Sequence, residues 1–246
     1  MSFLKLPFLP QKKIKLCCIA SGNPEIKKAL EDLSIEVIEC SGTNSIVEPL
    51  TNHPDINFAH LGDNKIVCNL ENKDLAKKLK KYDFDVITSE KVIKSPYPFD
   101  VQLNIARLDN ILLINKVTDS HVKFFSETNN LKNVILKQGY VKCTTCIVNE
   151  KSIITSDRGT APILKDVGLD VLLIEEGYIE LPGYDFGFIG GCSGLISNNK
   201  MVFSGNIEAH PSFHKIKAFL YDRRIDYVSL TKEKLLDIGS IIPLKE

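Results

Sequence analysis

The sequence predicts an α/β fold made of five strand–turn–strand–helix–strand (ββαβ) units, closed into a ring by pairing the N- and C-terminal strands. Three observations point there. Between Gly139 and Phe203 the same construction begins twice: KCTTCIV, a turn at Asn149–Lys151 and SIIT, then FIGGCSGLI, a turn at Ser197–Asn199 and MVF. The turn residues Asn64, Asn110, Glu150 and Asn198 recur every ~40–50 residues, the signature of an array of supersecondary units. The leftovers at the two ends also fit each other: Gly239–Pro243 is a strand without a hairpin mate, and the opening segment is a strand, helix and strand without a first strand. Pairing them would leave no sheet edge unpaired between units.

Residues 1–13 read as an N-terminal tail or edge strap, and 14–246 as one domain. Ile14–Ala20 is a strand, Asn23 an N-cap, Pro24 the first helical position, and Ile26, Ala29, Leu30 and Leu33 an apolar helix face before the strand Ile35–Ile38. A hairpin spans Ile56 to Asn69 around Gly62–Asn64, followed by a helix over Asp74–Lys81 and a strand at Val86–Ser89. Val101–Ala106 and Ile111–Ile114 form the next hairpin, with Thr118 or Asp119 capping a helix to Ser126 and a strand at Asn133–Leu136. In the fourth unit Lys142–Val148 and Ser152–Thr155 pair, a helix over Thr160–Val167 closes at Gly168, and Val171–Ile174 is a buried strand. In the fifth, Phe188–Ile196 and Met201–Phe203 pair, followed by a helix from Pro211 to Tyr221 and a strand at Ile225–Ser229.

Composition narrows the function. Charge is balanced at 31 basic and 31 acidic side chains, so no positive field for nucleic acid is expected, and the Lys77–Lys81 cluster reads as a solvated helix face. Seven cysteines scattered over strands read as reduced thiols. The N-terminus is interrupted by Lys5 and two prolines, and no apolar run has the length of a membrane span, so a cytoplasmic protein with neither nucleic-acid nor membrane partner is expected.

Four motifs stand at unit starts: Pro54-Asp55-Ile56-Asn57-Phe58, Pro98-Phe99-Asp100-Val101, Tyr140-Val141-Lys142-Cys143 and Gly239-Ser240-Ile241-Ile242. With the five-unit ring, they resemble the pentein (α/β propeller) superfamily of dimethylarginine dimethylaminohydrolase, arginine deiminase, the amidinotransferases and a ribosome anti-association factor. The pattern is most similar to the dimethylaminohydrolase. The segments HPD, YPFD, QGYVKC, SDRG and GYDFGFIGGCSG also resemble an uncharacterised clostridial protein family, which implies no function. The pentein resemblance implies a central channel lined by residues at the starts of the first hairpin strands, with Asp55 in the position that contacts a cationic substrate group and Asp100 beside the channel. It also implies two departures: Tyr140 stands where the enzymes carry a histidine acid/base, and Ser240 lies in the strand where they carry the nucleophilic cysteine.

Covalent amidine chemistry needs a thiolate and a group to shuttle protons. Cys143 and Cys192 are the replacement nucleophiles, at the expected channel mouth, with His53 assisting; the plainer reading of each is a small buried hydrophobe. Cys143 and Cys146 spell C-x-x-C on an expected strand, where residues three apart face opposite ways, and no second pair completes a zinc site; no metal or cofactor is expected. Gly190 and Gly191 in mid-strand mark a close approach of backbone or ligand. Ser156–Gly159 reads as a helix cap rather than an anion site, and His121, His210 and His214 fall on helix ends and faces away from the channel.

Asp55, Asp100, Asp185 and Asp237 each precede a first hairpin strand, so a ring would gather them at one end of its axis. Like charges so placed are costly unless a cation joins them. The reading preferred is a small polar, cationic (amino- or guanidino-type) metabolite held by Asp55, Asp100, Asn104, Tyr140, Lys142, Asp185 and Asp237. The alternatives are a rearranged cysteine hydrolase or amidinotransferase-like enzyme and a propeller that binds a macromolecule.

Overall fold

A computed structural model describes residues 1–246 and divides them into five sheets of three strands. The first unit holds β1 (Leu16–Ala20), α1 (Pro24–Asp32) and β2 (Glu36–Cys40). The second has a single turn of helix, α2 (Pro54–Asn57), then β3 (Phe58–Gly62), β4 (Lys65–Cys68), α3 (Lys73–Lys81) and β5 (Asp85–Thr88). The third has β6 (Ala106–Leu108), β7 (Ile111–Ile114), α4 (Ser120–Thr128) and β8 (Lys132–Ile135). In the fourth, α5 (Val141–Thr144) leads β9 (Cys146–Asn149), β10 (Ser152–Thr155), α6 (Thr160–Asp166) and β11 (Asp170–Leu173). The fifth holds β12 (Ser193–Ser197), β13 (Lys200–Phe203), α7 (Phe213–Tyr221) and β14 (Asp226–Ser229), and the chain ends in β15 (Ile242–Lys245).

In the later four units the first two strands form an antiparallel hairpin and the third returns parallel after the helix. The first unit is completed from the other end of the chain: β15 runs antiparallel to β1, with Leu16 opposite Lys245 and Cys18 opposite Ile242, and β2 lies parallel on the other side. That pairing completes one sheet and no more. Each sheet is linear, with β2, β5, β8, β11 or β14 as its outer edge, so the expectation of unpaired edges being abolished does not hold. Hydrogen-bond ladders run within units, whereas packing joins them. The largest of three apolar clusters takes side chains from every unit, among them Leu16, Phe58, Leu113, Ile153, Phe203 and Leu244.

The unit helices end alike. Ser34, Asp83, Asn130, Gly168 and Arg224 follow α1, α3, α4, α6 and α7 with positive φ between 53° and 93°. Beyond each, the amide of an apolar residue (Ile35, Phe84, Leu131, Leu169, Ile225) reaches back to a carbonyl of the last turn. This satisfies carbonyls that a helix end leaves free and aims the chain into the next strand. Only Gly168 is a glycine, so four of these stops cost local strain that the apolar residue after each offsets by packing.

Four expected first strands begin too early. Ile56–Asn57 belongs to α2, 101–105 lies before β6, Val141–Thr144 is helical, and 188–192 turns before β12. Likewise β15 starts at Ile242 and not at Gly239. In each case the apolar residues that suggested a strand are buried in a turn, whose polar groups are satisfied by side chains: Asn57 Nδ2 donates to the carbonyls of Thr51 and His53, and Asn104 Oδ1 accepts from Lys142 N. Asn23 does not cap α1 with its side chain, which instead donates to the Ala20 and Ser21 carbonyls.

Residues 1–13 pack across several units, with Leu4, Phe8 and Leu9 buried. Leu4 O accepts from Asp63 N, and Ser2 and Glu246 exchange two backbone hydrogen bonds. The Lys142 ammonium lies 5.3 Å from the centre of the Phe8 ring. No helix is long and apolar enough to cross a membrane.

Candidate functional site

The turns that precede the five first strands meet. From the second unit Pro54, at the first position of α2, fixes the turn that carries His53 and Asp55 inward. Asn104 arrives from the third unit, Lys142 and Cys143 on α5 from the fourth, Gly190 and Gly191 from the fifth, and Asp237 and Ser240 from the segment before β15. The two glycines are required by proximity: a Cβ on Gly191 would overlap the Asp237 carboxylate, and one on Gly190 would overlap the Lys142 carbonyl.

Asp55 is the hub of the buried network. Its Oδ2 accepts from Ser240 Oγ at 2.7 Å and from the Cys143 thiol at 3.1 Å, and its Oδ1 has no partner. Asn104 Nδ2 donates both to Cys143 Sγ (3.2 Å) and to the Asp55 carbonyl (3.0 Å). Lys142 Nζ donates to Ser240 Oγ and Gly190 O, each at 3.0 Å. Asp237 Oδ2 accepts from Phe188 N at 2.9 Å and Oδ1 from Gly239 N at 3.0 Å; His53 Nδ1 stands 3.8 Å from Oδ1 and makes no hydrogen bond.

Burial dominates the electrostatics. It raises Asp237 from 3.8 to about 6, against the pull of the Gly239 and Phe188 amides and the Lys142 charge. It also raises Asp55, with Asp237's charge adding to the rise and His53, Lys142 and the Ser240 hydroxyl opposing it. The Cys143 thiol is lifted well above its ordinary value by burial and then by the two carboxylates, and His53 is lowered by burial. The chain thus supplies one cation, Lys142, to a site with two interacting acids.

A cavity of about 220 Å³ opens on this network. His53, Cys143 and Asp237 form its buried part, and Tyr140, Phe186 and Phe188 are half-buried walls. Tyr184 and Asp185 are exposed at its mouth. Asp100 is buried one step out, accepting from the Tyr140 hydroxyl at 2.8 Å, with its other oxygen unpartnered and burial raising its pKa.

The sequence candidates divide accordingly. Asp55, Asn104, Lys142, Cys143, His53 and Asp237 come together; Tyr140 and Asp185 line the cavity; Asp100 touches it through Tyr140. Cys192 does not reach it: the thiol donates to Ile189 O inside the apolar core. Cys146 points elsewhere from Cys143, its sulfur 3.6 Å from Met201 Sδ, because Cys143 is in a helical turn and Cys146 starts a strand. His210 is buried, accepting from Ser212 N, and does not line the cavity. Asp157 Oδ1 accepts from Thr160 N as a helix cap. Reasoning from sequence missed the apolar half, Leu50, Leu181, Phe186 and Phe188; Phe186 and Phe188 alternate with glycine in GYDFGF, the one available signal. No group of three or more His, Cys, Asp or Glu is arranged to hold a metal ion.

The profile of a family of unknown function, DUF6873, matches residues 19–242. The chain belongs to that family. No curated protein matches this DUF6873 member significantly by sequence. Among solved structures, inosamine-phosphate amidinotransferase from Streptomyces griseus matches with a TM-score of 0.59 at 8% identity, over 100% of this chain and 97% of that one. Agmatine deiminase from C. jejuni with substrate bound matches at 0.58 and 11% identity, over 99% and 96%. Dimethylarginine dimethylaminohydrolase (DDAH) from Pseudomonas aeruginosa matches at 0.58 and 7% identity, over 93% and 96%. All are penteins, and this DUF6873 chain has their fold.

Proposed function

We propose that the five units stand around one axis, with the β15–β1 pairing as the seam, and that the cavity at its centre holds the charged end of a small organic cation. The observation that carries this reading is the meeting of Asp55 and Asp237, both buried and close enough to interact, at a cavity that Asp237 lines and whose remaining walls are largely apolar. Two desolvated carboxylates balanced by one lysine leave a site that gains when positive charge enters. The likeness of fold to proteins named as an amidinotransferase and an agmatine deiminase agrees with a cationic ligand. At about 220 Å³ the cavity is smaller than the ~300–1,000 Å³ of drug-sized sites, which suits a headgroup or a compact metabolite. The test is calorimetry with guanidinium, primary-amine and quaternary-ammonium probes against their uncharged analogues. Binding of one or more cations that is lost in Asp237→Asn supports the reading. Equal binding of charged and uncharged probes refutes it.

One observation favours a second reading, covalent chemistry at Cys143. Its sulfur lines the cavity, its proton already points at Asp55, and Asn104 donates to it. With a guanidinium bound, sulfur would bond to the central carbon while Asp55, which already accepts from the thiol and feels the His53 charge, takes the thiol proton. That proton returns to the departing amine as the C–N bond breaks, and water then releases a urea-type product and the thiol. A haloacetamidine that alkylates Cys143 stoichiometrically in the folded protein, much faster than uncharged iodoacetamide does, supports this step; equal slow rates dismiss it.

A further inference from the structure

We infer that the cavity is shaped for an alkylated ammonium headgroup rather than for a guanidinium or a primary amine; the inference rests on the cation-binding reading above. A guanidinium brings five N–H donors and a primary ammonium three, and each buried donor needs an acceptor. The cavity offers few. Asp237 is its one deep carboxylate, and a backbone amide already occupies each of its oxygens, leaving about two lone-pair sites, to which the unpartnered His53 Nδ1 can add at most one. Asp55 lies behind Cys143 and does not line the cavity, the Cys143 thiol is directed to Asp55, and the Tyr140 hydroxyl is directed to Asp100. Asp185 is exposed at the mouth, where water competes with it.

What the cavity does offer is aromatic surface. Tyr140 and Phe188 have ring centres 6.3 Å apart and tilted by 33°, and Phe186 stands at 89° to Phe188 with centres 6.2 Å apart. Tyr97 extends the series, 5.8 Å from Tyr140, and Tyr184 completes the lining at the mouth. No lysine or arginine lines the cavity to oppose a cation or to occupy the rings. Ring faces attract a cation without asking for hydrogen bonds, and an ammonium whose protons are replaced by methyl groups has none to satisfy. Its methyl groups also fill apolar walls that Leu50 and Leu181 continue. One carboxylate at depth then supplies the charge complement.

The experiment is isothermal titration of the full chain near neutral pH with choline, guanidinium, methylammonium and the uncharged tert-butyl isostere of choline. Choline is expected to bind at least about tenfold more tightly than guanidinium or methylammonium, with no binding of the isostere. Phe188→Leu is expected to weaken choline about tenfold by removing one ring face. Phe186 is half-buried, so Phe186→Leu gives an independent reading should the first variant fold poorly. Guanidinium or methylammonium binding as tightly as choline overturns the alkylammonium assignment and leaves the cation reading standing. The isostere binding as tightly as choline, or none of the four binding at about 10 mM, overturns both, since a site of this kind should hold its ligand at millimolar levels or better.

Discussion

Asp237 makes the folded protein's stability depend on pH in a direction opposite to that of most carboxylates. Held at about 6 instead of 3.8, it keeps its proton longer in the folded chain than in the unfolded one. Between those two values the folded state binds the extra proton, so stability falls as pH rises, and the loss is complete above the folded value. The difference is about 2 pH units, which at ~1.36 kcal/mol each comes to about 3 kcal/mol. Asp237→Asn removes the titration. The assay is urea denaturation of both proteins at steps from about pH 4 to pH 8, taking wild-type minus variant stability so that groups not coupled to Asp237 cancel. That difference should become less favourable to the wild type by roughly 3 kcal/mol from acid to neutral pH. A difference flat to within about 0.5 kcal/mol would show that Asp237 is not held in a desolvated site, and the charge argument for the cavity would go with it.

Other perturbations reach the same site from different sides. Gly191→Ala places a Cβ on the Asp237 carboxylate, so it should destabilise by about 1–3 kcal/mol from overpacking and weaken any cation bound there, read by denaturation and calorimetry. Lys142→Met removes the only ammonium bonded to Ser240 and Gly190 while leaving two carboxylates without its charge; a cost of about 3–5 kcal/mol is expected in urea denaturation. All seven cysteines are buried, so iodoacetamide should modify less than one thiol per folded chain over the time in which it modifies seven in urea, counted by intact mass. A cation that engages ionised Asp237 should bind more weakly as pH falls through about 6, and affinity that stays constant down to pH 5 would contradict that engagement.

The repeat was legible because turns and helix faces carry local chemistry. Asn64 and Asn110 sit in tight hairpin turns, Leu75 and Leu79 face the core from α3, and the complementary ends pair as β15 and β1. The leading turns were not legible as turns. Val141 and Cys143 look like strand residues, yet they lie in α5, where Asn104, 38 positions away from Lys142, accepts its amide, and no local pattern encodes so distant a partner. Of the four acids expected together, Asp55 and Asp237 interact in the buried network, Asp185 is exposed at the cavity mouth and Asp100 stands behind Tyr140; Lys142 was not seen as a counter-charge, since it reaches Ser240 across 98 residues. The four non-glycine helix stops were equally hidden, being set by the apolar residue that follows and not by the residue that bends. The aromatic half of the cavity comes from one loop, in which GYDFGF reads as a flexible bend until its rings are seen against Tyr140.

Five short turns, one from each unit, deliver side chains to a single point while the sheets behind them stay separate. Such a layout works as a set of interchangeable stations around a hub. A reactive or binding group can migrate from one station to another through a few substitutions, without any strand changing its neighbours. A cysteine at the fourth station, a histidine and an acid at the second and another acid ahead of the closing strand form one arrangement among many that this backbone can carry. Kinship of fold within such an architecture is therefore compatible with wide divergence in what the centre recognises.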